Sequence, residues 1–459
     1  MQTIEGIDAF LKAEFAASVA KRGVPGSAIA VLKDGEIIEA AAGVLSLDTR
    51  VETTTDTVFQ IGSITKVWTA TLVMQLVDDG LLDLDAPIQQ YLPEFRLLDE
   101  ASAASITTRQ LLSHQGGFEG DVFTDTGRGD DAIEKFVEQV AGLPQLFPPG
   151  ELFSYNNVAY IVLGRLVEVL RDSTWEAVLL ERIAGPLGFD HVSPSPYEAI
   201  QFRAAMGHLG EGDEVVPAPF WASARSNEPA GSMLAMTAGE LLGFARMHLD
   251  AGVGADGTRV LSEASAREMR EPQVHLPVLV GMPAAWGLGW EVVSTESPVV
   301  IGHDGTTIGQ AAFLRIVPEA GLAVVLLTNG GDVFGLFDDV VRPLLRGVAG
   351  AELPTFPLPP AEPIAVEIDG LVGSYASSIF EMNVSVDADG RIWLDRIPSE
   401  AVAEMGEKPS RDELVGFNTD SLIQLEATSG LHPVYAFLGD AGGGKRKYLH
   451  YGRAVARSA

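Results

Sequence analysis

The chain has 459 residues, 46% of them hydrophobic and 20% charged; this composition is globular, and the length favours two domains over one core. A formal net charge of −32, with a pI near 4.5, argues against nucleic acid and anionic membrane surfaces as partners. With no cysteine in the chain, disulfides, thiolate metal sites and a cysteine nucleophile are excluded.

Residues 1–22 place Ile7, Phe10, Leu11, Phe15 and Val19 at helical spacing, interrupted by Asp8, Lys12, Glu14 and Lys21. That pattern predicts an amphipathic surface helix and not a secretory signal. No run of about 18 apolar residues follows, so no spanning helix is predicted, and the chain reads as cytoplasmic. Gly26 to Leu32 reads as a buried strand, Lys33-Asp34-Gly35-Glu36 as a hairpin turn, and Ile37 to Val44 as the returning strand. A short apolar strand then leads through Gly62 into a helix that Asp79-Gly80 ends. Residues 106–117 form a capped helix running into glycines, where His114 reads as a C-terminal capping and dipole residue. A loop through Pro149, Gly150 and Tyr155 enters the helix Val158 to Leu170, which Asn156 or Asn157 could cap. Thr237 and Glu240 make a capping box for a helix over 241–249. Trp286 to Glu291, Val299 to Gly302, Gln310 to Ile316 and Leu322 to Asn329 read as strands, with His303 to Thr307 as a turn. Strands at both ends with helices between predict an antiparallel sheet flanked by helices, an α/β (α+β) architecture. Residues 351–364 are a proline-rich linker. Residues 365–459 hold short strand-like runs separated by turns, a small all-β barrel. The domains are thus 1–350 and 365–459.

The stretch that organises the chain is Phe59 to Trp68. Ser63 and Lys66 lie three residues apart, which on a helix puts both side chains on one face. A serine hydroxyl needs a base to become a nucleophile, and a lysine whose pKa is lowered by burial or positive neighbours can be that base. The helix after them, Val67 to Val77, is apolar nearly all round and so should be buried. A lysine there needs a reason.

Ser63-x-x-Lys66, Tyr155-x-Asn157 and His303-x-Gly305 stand in order along the chain. With Leu111-Leu112-Ser113-His114, Gly231-Ser232-Met233 and Trp286-Gly287-Leu288-Gly289-Trp290, they resemble the serine β-lactamase and penicillin-binding-protein superfamily. The match is to its class C β-lactamase-like branch, which includes D-aminopeptidases, DD-carboxypeptidases and family VIII esterases, and it covers roughly residues 5 to 345. The resemblance implies that Ser63 is acylated, that Lys66 accepts its proton, that Tyr155 shares the proton work, and that Asn157 orients Lys66 and the substrate amide. It implies an oxyanion hole from the backbone N–H groups of Ser63 and Thr306, with Gly305 and Gly231 beside the substrate. At His303 the sequence departs from β-lactamases, which usually carry a lysine that grips a substrate carboxylate. That departure leans away from β-lactam hydrolysis.

Gly373-Ser374-Tyr375 early in the β-rich module resembles the lipocalin-like domain of penicillin-binding-protein-type thioesterases. Those stand-alone enzymes release and cyclise peptides head to tail. In that group an arginine of the β-domain helps hold the peptide, and Arg446 in the run Gly442 to Lys447 is the candidate here. A solvated turn is the other reading of the same run. The resemblance therefore implies a peptidyl thioester on a carrier protein, or a small peptide or ester, as partner. It implies no cofactor, no metal, and a monomer or weak oligomer. A D-stereospecific peptidase, an esterase, and a non-catalytic acyl-binding sensor are the alternatives.

Overall fold

The computed structural model describes residues 2–210, 212–404, 408–428 and 430–458. Among them an eight-stranded antiparallel sheet forms in the order Glu36–Gly43, Gly26–Lys33, Leu322–Thr328, Ala311–Val317, Val300–Thr306, Glu291–Ser294, Ala285–Trp286, Val274–His275. The hairpin reading of residues 26–44 is met in register, with Ile29 opposite Ala40. The strands Gly26–Lys33 and Leu322–Thr328 are buried on both faces, which is why they read as unbroken apolar runs. Helices cover both sides. One face packs on the N-terminal helix Ile4–Lys21, through Ile7, Leu11 and Phe15, and on Val333–Leu344. The other face carries the larger core, threaded by the helix Thr65–Asp78.

That helix is buried from Thr65 to Leu76. Trp68 stacks on Phe244 with ring centroids 4.2 Å apart. Burying each large apolar side chain here contributes about 1.5–3 kcal/mol, so the helix is a fixed base for whatever its first turn carries. Among the described residues no helix is long and apolar enough to cross a membrane.

Beyond the proline-rich stretch, the strands between Gly373 and Arg457 close into an eight-stranded antiparallel barrel in sequence order. Closure leaves no free strand edge, and Tyr375, Phe437, Leu449 and Val455 fill the interior. The barrel sits on the loop that carries Tyr155. The Tyr155 N–H donates to the Gly452 carbonyl at 3.0 Å. The Ala454 N–H donates to Ser154 Oγ at 3.1 Å, and His450 Nε2 meets the Phe153 carbonyl at 2.7 Å.

Two local readings are corrected. His303 to Thr306 is not a turn: it continues the strand Val300–Thr306, with His303 opposite Leu314. Arg315 on the neighbouring strand holds Asp304, Nη2 to Oδ2 at 2.9 Å, and favours continued pairing over a bend. His114 does not cap its helix. It takes a left-handed φ of 58° and turns its ring inward. There it stacks on Tyr155 at 4.5 Å, and Nδ1 accepts the Asn156 N–H at 3.0 Å.

Candidate active site

Gly62 to Ile64 form a single 3-10 turn between the strand Thr57–Gln60 and the helix Thr65–Asp78. This turn lifts Ser63 into a cleft of about 450 Å³ while Lys66, one turn on, points beneath it. Lys66 is fully buried. Its Nζ lies 3.0 Å from Ser63 Oγ and donates to the Ala230 carbonyl at 2.6 Å. Burial, helped by the positive charge of Arg453, holds its pKa well below the usual lysine range. An amine whose pKa burial depresses, touching a serine hydroxyl, is placed to accept its proton.

Tyr155 forms the adjoining wall. Lys66 Nζ lies 4.9 Å from the centre of its ring, and the Arg453 guanidinium 4.6 Å. Burial raises the phenol above its ordinary pKa, while the Ser63 side chain and Arg453 pull it down. The phenol is protonated at neutral pH and so can hand a proton on. Asn156 caps the following helix, its Oδ1 accepting the Ala159 N–H at 2.7 Å. That leaves Asn157 free to face the cleft, where its Nδ2 donates to Asp121 at 2.9 Å.

Three glycines let the turn at Ser63 approach the strand that ends in Thr306. A Cβ on Gly305 would fall 1.9 Å from the Ile61 carbonyl oxygen and 2.9 Å from the Ser63 nitrogen. One on Gly62 would fall 2.5 Å from the Thr306 nitrogen. Gly231, at φ 115°, would drive a Cβ to 2.3 Å from the Gly62 carbonyl oxygen. The backbones at Ser63 and Thr306 thus approach as only glycine neighbours permit, and both residues line the cleft.

His303 is 1% exposed and lies edge-on to Trp286. Its Nδ1 meets the Asp304 carbonyl at 2.6 Å. A carbonyl only accepts, so Nδ1 carries the proton and Nε2 keeps a lone pair. Burial and the nearby Lys66 push its pKa down to about 3. An uncharged imidazole with its donor already used cannot grip a carboxylate as a lysine would.

Ser63, Tyr155, Asn157, Gly231, His303, Gly305 and Thr306 line one cleft, with Lys66 under it. Arg446 does not join them. It pairs with Asp420 within the barrel, both are substantially exposed, and Arg446 is absent from the cleft lining. The barrel arginine that reaches the cleft is Arg453, whose Nε donates to Asp121 at 2.9 Å and whose side chain is 32% exposed. Sequence reasoning missed it because the Gly-Lys-Arg-Lys run drew attention away from an isolated Gly452-Arg453. Glu291 was missed too, although it directly follows the Trp-Gly-Leu-Gly-Trp phrase. It lies 3.6 Å from His303 Nδ1, and burial beside Asp304 raises its pKa.

A family model described as Beta-lactamase matches residues 11–342. The chain belongs to the beta-lactamase family. As a member, it is a serine acyl-transfer enzyme or hydrolase of the β-lactamase and penicillin-binding-protein superfamily. It is 46% identical over 355 residues to "Penicillin-binding protein 4" of Amycolatopsis lactamdurans, a match covering 77% of this chain and 93% of that protein. The crystal structure of SurE superposes with a TM-score of 0.81 at 30% identity, covering 99% of this chain and 100% of that one. SurE has also been solved with D-Leu. D-amino acid amidase from Ochrobactrum anthropi SV3 shares the fold of the family's catalytic region, with a TM-score of 0.63 at 23% identity over 75% of this chain and 99% of its own.

Proposed function

We propose that this protein is a stand-alone peptide thioesterase that releases and cyclises a peptide whose C-terminal residue is D-configured. The observation that carries the reading is the barrel's Arg453, set over the Tyr155 ring beside Ser63. A guanidinium there can hold the carbonyl end of a peptide where a β-lactamase would use its lysine. Full-length likeness to SurE, barrel included, and the existence of a SurE structure with D-Leu support the D-residue. A neutral His303 supports a substrate without a free carboxylate, as a thioester is.

On this reading each group of the cleft has a task. Lys66 takes the Ser63 proton as Oγ attacks the thioester carbonyl, and the developing oxyanion faces the Ser63 and Thr306 N–H groups. The C–S bond breaks, and the thiolate takes a proton by way of Tyr155. The peptide's own neutral α-amine then attacks the ester. A C–N bond forms, the C–O bond to Ser63 breaks, and the amine proton returns to Oγ through Lys66. Thioester plus amine gives amide plus thiol, with nothing oxidised or reduced. Preorganised donors of this kind are worth about 3 kcal/mol each in the transition state.

Mass spectrometry of the products from a linear peptide thioester mimic ending in a D-residue tests the reading. A product lighter than the free acid by one water is the expected cyclic peptide. Free acid alone, with Ser63→Ala inactive, makes the protein a D-stereospecific hydrolase. The acidic surface disfavours docking of an acidic carrier protein, so a small soluble thioester is the substrate to use first.

A further inference from the structure

The segment Arg225–Ala230 has two faces. Asn227 and Ala230 line the catalytic cleft. Arg225 and Glu228 line a second cavity, of about 750 Å³. Phe123 and Ser223 line both, so the two spaces adjoin at these residues. Nothing in the acyl-transfer chemistry uses the second one.

Its polar groups are unbalanced. Glu228 is 1% exposed; its carboxyl shares a hydrogen bond with Glu176, and no donor group among the described residues reaches its Oε2. Glu198, across the cavity, also has a buried, unpartnered Oε2. Neither arginine of the wall answers them: Arg225 is engaged by Glu176 at 2.7 Å, Asp130 at 2.9 Å and the Arg128 carbonyl at 2.7 Å, and Arg128 donates to the Tyr197 hydroxyl at 3.1 Å. Buried carboxyl oxygens without donors are costly to leave unmet. Burial and the charge of Glu176 accordingly push the Glu228 carboxyl well above its usual pKa. The rest of the wall is mixed: Leu180, Met233 and Phe123 give apolar stretches, and Asp125, Glu176 and Thr174 add further acceptors.

Four carboxyl groups (Asp125, Glu176, Glu198, Glu228) against two arginines, beside the apolar stretches, fit a cationic amine on an aliphatic arm. We propose that this cavity is a subsite for a basic side chain of the peptide substrate, its ammonium held between Glu228 and Glu198 and its methylenes passing Phe123. The inference rests on the peptide acyl-transfer reading and names a specificity element within it. The amine bound there is not the attacking one: an ammonium has no lone pair to attack with, and the carboxyl oxygens hold it protonated. The subsite selects peptides with a lysine-like residue at one fixed distance from the scissile carbonyl.

Binding tests this apart from catalysis. Short acetylated peptide amides ending in a D-residue are made in pairs, with lysine or norleucine walked along the chain. Their affinities are measured by calorimetry on the Ser63→Ala protein. At one position lysine is expected to bind about tenfold more tightly than norleucine, the scale of a hydrogen-bonded charge. That ratio is expected to fall to near one in Glu228→Gln and in Glu198→Gln backgrounds. Glu198 lies nearer the surface than Glu228, so its variant keeps the test open if Glu228→Gln does not fold. A ratio near one at every position, or a preference that survives both substitutions, overturns the subsite and leaves acyl transfer at Ser63 untouched. A lysine preference in binding without turnover of any peptide thioester supports the subsite and removes the thioesterase reading.

Discussion

The floor and the rim of the cleft are built from opposite ends of the chain and on different principles. The floor is local: Ser63 and Lys66 share one turn, buried against a helix with no exposed residue from Thr65 to Leu76. The rim is assembled: Arg453 arrives from the last hairpin of the barrel and meets Asp121 and Tyr155, each from a different part of the chain. A chemical step needs fixed distances, which one buried turn supplies. Recognition of a variable substrate needs a surface that can be exchanged, which a docked domain supplies. The two are not independent, because Arg453 is also a positive neighbour that, after burial, helps hold the Lys66 pKa down.

The largest break is at the floor. Ser63→Ala should lower kcat on an activated ester by about 10⁶-fold, the scale of removing a nucleophile from a catalytic unit, with no drop in Tm. Residual turnover near wild type would remove Ser63 from the mechanism.

Next is the seam between floor and sheet. Gly305→Ala would place a methyl 1.9 Å from the Ile61 carbonyl oxygen. It should separate the Ser63 and Thr306 N–H groups and reduce kcat by about 10²–10³-fold, the scale of losing one oxyanion donor. Stopped-flow acylation rates would measure it.

A third prediction sets the two barrel arginines against each other. Arg453→Ala should lower kcat/KM for a peptide thioester by about 10–100-fold, the scale of a lost charged hydrogen bond. Removing that positive charge also makes protonated Lys66 easier to form, so the acid limb of the pH–rate profile should move to higher pH. Arg446→Ala removes only an exposed pair with Asp420, worth about 0–1 kcal/mol, and should change neither kcat/KM nor the profile. Equal effects from both would erase the distinction between a rim residue and a surface one.

The smallest effect is a null signal. With its pKa pushed down to about 3, His303 should show no imidazole titration by NMR between pH 8 and 5. A titration in that range would mean that a cation can form where this cleft holds a neutral ring.

What could be read in advance was short-range. The hairpin around Asp34-Gly35, the buried helix after Ser63 and the Asn156 cap follow from periodicity and turn chemistry within a few residues. The Thr237 cap forms as read, with the Glu240 N–H donating to Thr237 Oγ1 at 3.2 Å. Its reciprocal half is replaced: the Glu240 carboxylate accepts from the Asp190 and His191 N–H groups instead. His114 shows the same limit. At a helix end its sequence context indicated a cap, but packing against Tyr155 and Trp286 turned the ring into the core.

By itself the sequence brought Ser63 and Lys66 together, because residues three apart across a helix start lie on one face. It also determined the order of motifs, the proline-rich break and the strand-rich end. Only the tertiary structure decided which barrel arginine faces Ser63, that His303 sits on a strand beside Glu291, and that a second cavity opens past Phe123. Each of those is a contact between segments far apart in the chain, set by how the barrel docks and how strands register. No local pattern carries that information.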